Sequence, residues 1–452
     1  MKIIEREIKP KMSSSKSYVF GRAKEGALPK VHKAEGLWIE DDRGNRYLNA
    51  SGGAAVTNVG HGRREIAEAL YQQVLQHDYI HPTAFVSPVV EDLAAALARH
   101  APAGIERFYF LSGGGEAVEA SIKMARQIHL ANGRPQRIRL ISRWKSYHGL
   151  SLGALSAMGR TAFREPFTPL LGDVVHIPPP YCLRCSYGQT YPGCQLRCAL
   201  ALDETIQNIG PNVVSAFIGE TVSGASLGVY APPAGYWNVI REICDQYKVL
   251  LIQDEVMCGL GRTGRWFASE HYDISPDIVI LGKGLGGGAI ALSAAGLQAA
   301  HFEALQSAGG FTHGGTYSHH PVAAAVGLAT IKILEQENLI ERADRIGKVL
   351  GDKLRNKLSG LPHVADIRGL GMFWGVELVK DKDSLKPFPR EALMVERIWQ
   401  SVFDKGVIVY KAFGLAGSDG EAIIIAPAFT INRKDIEFLV DSLAQGIAET
   451  VE

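Results

Sequence analysis

The stretches Val249-Leu250-Leu251-Ile252-Gln253-Asp254-Glu255 and Asp277-Ile278-Val279-Ile280-Leu281-Gly282-Lys283-Gly284 decide the fold of this chain. In each stretch, an apolar run with the length of a buried strand leads to a polar side chain, Asp254 in the first and Lys283 in the second. Open α/β sheets bind their ligands outside the carboxyl ends of parallel strands. The two stretches therefore predict an acid and an amine side by side at one edge of a sheet.

Around these stretches, strand and helix patterns alternate from about residue 63 to 330. Such alternation predicts a large α/β domain with a mostly parallel mixed sheet flanked by helices. The predicted strands cover 107–111, 137–142, 213–219, 249–253 and 278–281. The predicted helices cover 64–77, 89–100, 116–132 and 236–247.

Two further regions flank this predicted domain. Residues 1–62 are predicted to form an N-terminal arm and part of a small domain, with a hairpin at 37–49. Residues 331–452 are predicted to form a C-terminal small α+β domain. Its predicted elements are a long helix from about 331 through 358, strands at 364–368 and 373–378, a helix at 390–405, and strands at 407–410 and 422–426.

An insertion at about 178–200 contains Cys182, Cys185, Cys194 and Cys198. Four thiolates at this spacing could hold a structural zinc ion. The alternative is a surface excursion whose thiols are reduced or partly bridged. Neither interpretation gives the cysteines a part in the chemistry, so no metal is predicted at the functional site.

The composition of the 452 residues excludes several classes of protein. The 48 basic and 47 acidic side chains nearly cancel, which argues against a nucleic-acid partner. No apolar stretch has the length of a membrane span, and the charged N-terminus lacks the apolar core of a signal peptide. A cytoplasmic enzyme with no membrane partner is the expectation.

The segment Gly113-Gly114-Gly115 lies between a predicted strand and a predicted helix. Its backbone N–H groups and the helix dipole would favour a phosphate group. A connecting turn without a ligand is the alternative, and the P-loop and dinucleotide fingerprints are absent here. Thr316, which precedes another helix, could likewise contact a phosphate oxygen or simply cap that helix.

Polar and aromatic residues follow three predicted strands. Asp254 could hold a protonated ring nitrogen, because a nearby opposite charge favours the charged form. Tyr147 and His148 could stack on a planar ring or pack in the core, and Val256 could cover one ring face. Glu220 could point into the same crevice or brace a loop.

Lys283 has an amine that could condense with an aldehyde and then move a proton as a general base. In isolation, a lysine among glycines is more often a solvated loop residue. Together with Asp254 it provides what pyridoxal phosphate requires of a protein. The neighbouring Glu255 is predicted to brace the structure.

In their order, these segments resemble the class III, or ω-amino acid type, aminotransferases of fold type I. The resemblance covers nearly the whole chain. It is carried by Gly113–Glu119, Tyr147-His148-Gly149, Asp254-Glu255-Val256 with the following Gly259–Gly264, Lys283-Gly284, Gly315-Thr316-Tyr317 and Arg368–Met372.

The resemblance implies a role for each matching residue. Lys283 would be the Schiff-base lysine, Asp254 the partner of the pyridinium, and Tyr147 the stacking residue. Gly114 and Gly115 would hold the phosphate. Thr316 would reach the cofactor of the neighbouring subunit, which implies a homodimer with active sites at the interface, or a tetramer built from such dimers.

Three departures from the family bear on the substrate. Gly115 stands where many relatives carry serine, and Ala55 where many carry a bulky aromatic residue, which predicts a wider pocket. Lys411 falls near the position of an arginine that grips the substrate carboxylate in several relatives. Ala55, Glu220 and Lys411 are therefore the predicted substrate residues.

The predicted activity is ping-pong transfer of an amino group from a primary amine or amino acid to pyruvate or 2-oxoglutarate. A racemase, an epimerase or a decarboxylating relative on the same fold is the alternative, since each needs the same Asp254 and Lys283. A binding protein without catalysis is a further alternative from another class.

Overall fold

The structure is a computed structural model that describes residues 18–19 and 28–451. Most of the predicted N-terminal arm lies outside these residues. No helix among the described residues is long and apolar enough to cross a membrane.

The described residues form fifteen strands. In chain order they are β1 Val31–Glu35, β2 Trp38–Asp41, β3 Arg46–Asn49, β4 Ile105–Leu111, β5 Arg139–Arg143, β6 Val174–Ile177, β7 Val214–Glu220, β8 Leu250–Asp254, β9 Ile278–Leu281, β10 Ser293–Gln298, β11 Val364–Leu370, β12 Phe373–Leu378, β13 Val407–Ile408, β14 Tyr410–Ala416 and β15 Asp419–Ile425.

Besides five short 3-10 helices, the same part of the chain forms thirteen α-helices. They are α1 Gly52–Ala55, α2 Arg64–Gln76, α3 Pro88–Ala98, α4 Gly114–Ala131, α5 Leu152–Ala157, α6 Thr161–Arg164, α7 Arg197–Ile209, α8 Tyr236–Tyr247, α9 Ala299–Ser307, α10 Pro321–Gln336, α11 Leu339–Leu358, α12 Met394–Asp404 and α13 Arg433–Val451.

A seven-stranded sheet with the order β4-β10-β9-β8-β7-β5-β6 forms the centre of the molecule. The strands from β9 to β6 pair in parallel, while β10 pairs antiparallel with both β9 and β4. Six strands therefore run in one direction and end at a common edge. This sheet confirms the predicted fold class, α/β with a mostly parallel mixed sheet.

Alternating side chains of the central strands pack against helices on the two faces of the sheet. Ile252 and Ile280 contact the layer that contains α4. On the opposite face, Leu251 packs with α7 and α8, and Val279 packs with α3 and α10. Burial on both faces explains why these strands are continuous apolar runs rather than alternating ones.

Two four-stranded sheets complete the fold. One has the order β1-β2-β3-β13 and includes the predicted hairpin, and the other is an antiparallel sheet with the order β11-β12-β15-β14. Helices α11, α12 and α13 cover one face of the second sheet. Its other face packs against residues beside the carboxyl edge of the central sheet, among them Val222 and Cys258.

Three details differ from the sequence-based expectation. The prediction of one long helix from about 331 through 358 is wrong. The region forms two helices instead: α10 begins at Pro321, and α11 begins after Asn338, which adopts φ 49°. Asparagine tolerates this left-handed conformation better than most residues. The strand predicted at 407–410 is also wrong, since it divides between β13 and β14 in different sheets. Strands β6 and β10 were not predicted.

The domain limits stay a prediction. The predicted limit at residue 330 falls within α10, and the break at Asn338 is the more natural boundary.

Candidate active site

The carboxyl edge of the central sheet brings the main predicted residues together. Glu220 ends β7, Asp254 ends β8, and Lys283 follows β9 after one residue. In the β7–β8 register, Glu220 lies directly opposite Asp254. The predicted juxtaposition of acid and amine follows from this strand order, with β8 next to β9.

Asp254 is a buried carboxylate with two protein partners. Its Oδ1 accepts the N–H of Val256 at 3.0 Å, and its Oδ2 lies 2.7 Å from Nδ1 of His148. The other ring nitrogen of His148, Nε2, is buried without a partner among the described residues. His148 therefore orients the carboxylate, a role that the sequence did not reveal because the two residues belong to different strand ends.

Lys283 begins a single turn of 3-10 helix and adopts φ 46°. A left-handed conformation costs free energy for a residue with a Cβ, so the surrounding structure must hold it. Burial lowers the pKa of its amine to about 8, and the nearby carboxylates of Asp254 and Glu220 limit this shift. At pH 7, about a tenth of the amine is therefore uncharged and nucleophilic, far more than in an ordinary solvated lysine.

The segment Gly113–Gly115 runs into the first turn of α4, an eighteen-residue helix. The N-cap, Gly113, makes no side-chain cap, so backbone N–H groups at the start of the helix face outward. A Cβ on Gly114 would lie 3.0 Å from Val256 Cγ1. A Cβ on Gly149 would lie 2.7 Å from the Cα of Gly115, so two backbone segments meet closely here.

Tyr147 and Glu220 are joined by a hydrogen bond from the Tyr147 N–H to Oε1 of Glu220, at 2.5 Å. Glu220 also accepts the Ser226 hydroxyl and the Gly224 N–H. These bonds match the loop-bracing alternative for Glu220 and position the backbone of Tyr147. The ring of Tyr147 contacts Phe163 edge to face, with centroids 6.2 Å apart.

Glu255 has the bracing contacts that the sequence predicts. Its carboxylate accepts the N–H groups of Ala268 and Ser269 and the Thr221 hydroxyl. Burial raises its pKa to about 7. Glu255 thus ties the turn after β8 to the loop after β7.

Thr316 and Ala55 lie at the periphery of this arrangement. Thr316 is exposed in the segment that precedes α10. Ala55 is buried, with φ 61°, in an apolar cluster that also includes Val222 and Ala412. Ala55 therefore lies between the edge of the central sheet and the antiparallel sheet.

Lys411 is not brought to this site. On β14 it pairs with Ile423, whose side chain belongs to the core under α11, α12 and α13. Its Nζ lies 4.6 Å from the centroid of the Trp399 ring. The adjacent residues Tyr410 and Ala412 take the face toward the site. The prediction that Lys411 is a substrate residue is therefore wrong, because the pleat of the strand points its side chain toward the helix-covered face.

The cysteine segment lies apart from these residues. All four of its thiols are free, and no group of three or more Cys, His, Asp or Glu side chains in the described part of the chain is arranged to hold a metal ion. The segment is anchored to β12 instead: Tyr181 donates to the buried Glu377, which also pairs with Arg184 and Arg368. Of the two alternatives for these cysteines, the described residues give the zinc ion no preformed site.

Asn58 is a buried residue that sequence reasoning missed. Its Nδ2 would lie 2.8 Å from a Cβ on Gly284, and both polar atoms of its amide lack a partner among the described residues. Asn58 therefore packs directly against the turn that carries Lys283. Nothing local in the sequence Val56-Thr57-Asn58-Val59 indicates this contact.

Comparisons with known proteins agree on one family. A family model described as aminotransferase class-III matches residues 20–447. The chain is 36% identical to the uncharacterized aminotransferase YodT of Bacillus subtilis, covering 96% of this chain and 98% of that protein. It is also 36% identical to the putrescine–pyruvate aminotransferase of Pseudomonas aeruginosa, covering 91% and 88%. A solved structure of an (S)-enantioselective omega-transaminase from Thermomicrobium roseum superposes with a TM-score of 0.88 at 38% identity, covering 94% and 93%.

Proposed function

The chain belongs to the class-III aminotransferase family, and from this premise we propose how its own residues bind pyridoxal phosphate and transfer an amino group. The enzyme is a pyridoxal-phosphate-dependent aminotransferase. The observation that carries the residue assignment is the pair at adjacent strand ends: Lys283, with its lowered pKa, and Asp254, held by His148.

The residues present fit the cofactor. The carboxylate of Asp254 suits the ring nitrogen of the cofactor, and the amine of Lys283 suits its aldehyde. The uncapped start of α4 suits its phosphate. A side chain on Gly114 would meet Val256 at 3.0 Å, so the glycine keeps this corner open. When bound, pyridoxal phosphate supplies an aldehyde carbon that links to amines and a ring that withdraws electrons from the substrate's α-carbon.

Lys283 is the proposed attachment residue and general base. Its amine would first hold the cofactor and, once displaced by the amino donor, would accept a proton from the substrate's α-carbon and deliver it to the cofactor's former aldehyde carbon, on the other side of the shared nitrogen. The lowered pKa supports this role, because a base must be uncharged to accept a proton.

Asp254 is the proposed partner of the ring nitrogen. Its negative charge would keep that nitrogen protonated. His148 and the Val256 N–H fix the orientation of the carboxylate. His148 is thus a positioning residue in this proposal, and Val256 covers one face of the ring opposite Tyr147.

Backbone N–H groups of Gly113, Gly114 and Gly115 are the proposed phosphate ligands, with Thr316 supplied by a neighbouring subunit. The exposure of Thr316 supports this assignment, since a residue that serves another subunit must lie at the surface of its own. Glu220 is proposed to brace Tyr147, and Ala55 to form part of the pocket wall.

A homodimer is the proposed active unit. Several large apolar side chains on α2, in the segment between α2 and α3, and next to Thr316 in the chain are exposed in the single chain, which favours burial against another copy. They are Tyr71, Leu75, Phe85, Val86 and Tyr317. Assembly beyond a dimer and a cytoplasmic location stay predictions.

The proposed substrates are a primary amine or amino acid as donor and a keto acid as acceptor, bound in turn at one site. The name of the Pseudomonas relative, a putrescine–pyruvate aminotransferase, supports pyruvate as the first acceptor to try. 2-Oxoglutarate is the second.

A panel of donors with each acceptor tests this proposal. Formation of alanine or glutamate, dependent on both substrates, is the expected result. If no amine or amino acid in a broad panel yields either product, the proposed substrate class is wrong.

A further inference from the structure

Two cations, Lys145 and Arg160, belong to the part of the chain that follows β5 and includes Tyr147. Arg160 lies beside two phenylalanine rings whose centroids are 6.5 Å apart, with its guanidinium carbon 4.9 Å from the centroid of Phe163 and 4.8 Å from that of Phe413. It donates one hydrogen bond, to the Phe413 carbonyl oxygen at 2.8 Å. Lys145 Nζ donates to the next carbonyl oxygen, of Gly414, at 3.0 Å.

Neither cation has an anionic partner among the residues that the structure describes. Arg390 provides a contrast, because it lies over the same Phe413 ring at 4.8 Å but pairs with two carboxylates, Glu396 and Glu421. Burying a charge without a partner is costly, so partly buried cations are normally paired. Arg160 and Lys145 therefore present positive charge with which a bound anion could pair.

The position of Arg160 connects it to the site already described. Phe163, beside which it lies, contacts the ring of Tyr147. Burial lowers the pKa of Arg160, and the charge of Glu220 partly opposes this effect, so the guanidinium lies within electrostatic range of that carboxylate. The pKa of Lys145 is lowered mainly by burial, and the positive charge of Arg160 is the second-largest cause. The two positive charges therefore lie close together.

Most hydrogen-bond donors of the guanidinium remain free. The centroids of the two rings are only 6.5 Å apart, so both rings lie at one side of the guanidinium carbon rather than on its two faces. The N–H donors lie in the plane of the group. One donor is used by the Phe413 carbonyl oxygen, and no other protein acceptor among the described residues takes the rest. A planar carboxylate matches this edge with two parallel hydrogen bonds.

We propose that Arg160, assisted by the charge of Lys145, binds the carboxylate of the keto acid and amino acid substrates. This inference rests on the proposed function, since it assigns a residue to the same substrates. It replaces Lys411, whose amine lies over the ring of Trp399 instead. The substrates are then carboxylic acids whose carboxylate group lies beside the rings of Phe163 and Phe413.

Binding of propionate to the holoenzyme tests the inference without requiring turnover. Propionate has the carboxylate of pyruvate but no carbonyl group, so it binds without reacting, and calorimetry gives its dissociation constant. The variant Arg160→Met keeps an apolar chain beside the two rings. We expect this variant to bind propionate about 10- to 100-fold more weakly, the size of a lost charged hydrogen bond.

The variant Lys411→Ala is the matched control, since it removes a lysine from β14, the strand that carries Phe413, at a position that packs on Trp399. Its propionate affinity is expected to stay within about twofold of the wild type. Unchanged affinity in Arg160→Met, or a loss in Lys411→Ala alone, would overturn the proposal. The visible absorption of the bound cofactor and the melting temperature establish that each variant is folded and loaded.

Turnover with two acceptors provides a second readout. Acetaldehyde has the carbonyl of pyruvate without its carboxylate, so Arg160→Met should raise the KM for pyruvate about 10- to 100-fold and leave that for acetaldehyde unchanged. Equal losses with both acceptors would contradict a carboxylate-binding role. A wild-type enzyme that uses neither acceptor would instead refute the proposed acceptor class, while the propionate titration would still decide the role of Arg160.

Discussion

Lys283 combines a left-handed backbone with a lowered side-chain pKa, and both features come from its place between β9 and a glycine-rich turn. The rate at which the cofactor-free protein takes up pyridoxal phosphate should follow the uncharged fraction of this amine. The rate should rise with pH and level off above about pH 8, since burial lowers the pKa to about 8. Stopped-flow absorption measures it, and a rise that continues toward pH 10 would show an ordinary solvated lysine.

Asp254 provides the second prediction at this scale. Replacing it with asparagine keeps the shape but removes the charge that would hold a ring proton. We expect kcat to fall by roughly 100-fold or more, which corresponds to about 3 kcal/mol of lost electrostatic stabilisation. Steady-state kinetics measure the loss. A matched His148→Asn variant should lose less, because the Val256 N–H still holds the carboxylate; equal activity of Asp254→Asn and wild type would exclude the assigned role.

At the scale of elements, the loop after β5 packs closely against the start of α4. Gly149 adopts φ 127°, and a Cβ on it would lie 2.7 Å from the Cα of Gly115. The change Gly149→Ala should therefore displace the phosphate-binding turn and destabilise the protein by about 1–3 kcal/mol. Cofactor affinity should weaken as well, measured by titration of the visible absorption.

Gly360→Ala is the control for this variant. Nothing lies within 4 Å of the Cβ that it adds, and it follows α11 far along the chain from the phosphate turn. It should leave cofactor affinity unchanged. If Gly149→Ala behaves like Gly360→Ala, the close approach of the two segments has no functional consequence.

The elements also show what the sequence could and could not predict. The strands ending at Asp254 and preceding Lys283 were predictable, because fully buried strands are continuous apolar runs between breakers. The orientation of Lys411 was not, because it depends on the register of β14 with β15. The contact of Arg160 with Phe413 joins residues far apart in sequence, and the break at Asn338 lacks the glycine or proline that usually marks a helix end.

For the whole molecule, the proposed dimer makes a prediction about shared active sites. If Thr316 of one subunit serves the cofactor of the other, then mixing Lys283→Ala with Thr316→Glu subunits should restore activity. Each hybrid dimer then contains one site with both native residues, while in the Thr316→Glu parent the introduced carboxylate repels the phosphate at both sites. Unfolding and refolding the mixture, followed by activity assay, measures the effect.

The mixture should show several times the summed activity of the separately refolded variants. An activity no greater than that sum would argue against sites shared between subunits. A sedimentation measurement on each variant confirms that the comparison is made between proteins of the same assembly state.

The central claim is that Lys283 is the residue to which pyridoxal phosphate attaches. Borohydride reduction of the purified holoenzyme makes that attachment permanent, and peptide mapping by mass spectrometry then locates it. We predict that the added mass of the cofactor lies on the peptide containing Lys283 and on no other lysine. Stoichiometric attachment at a different lysine, such as Lys145 beside Arg160, would contradict the assignment.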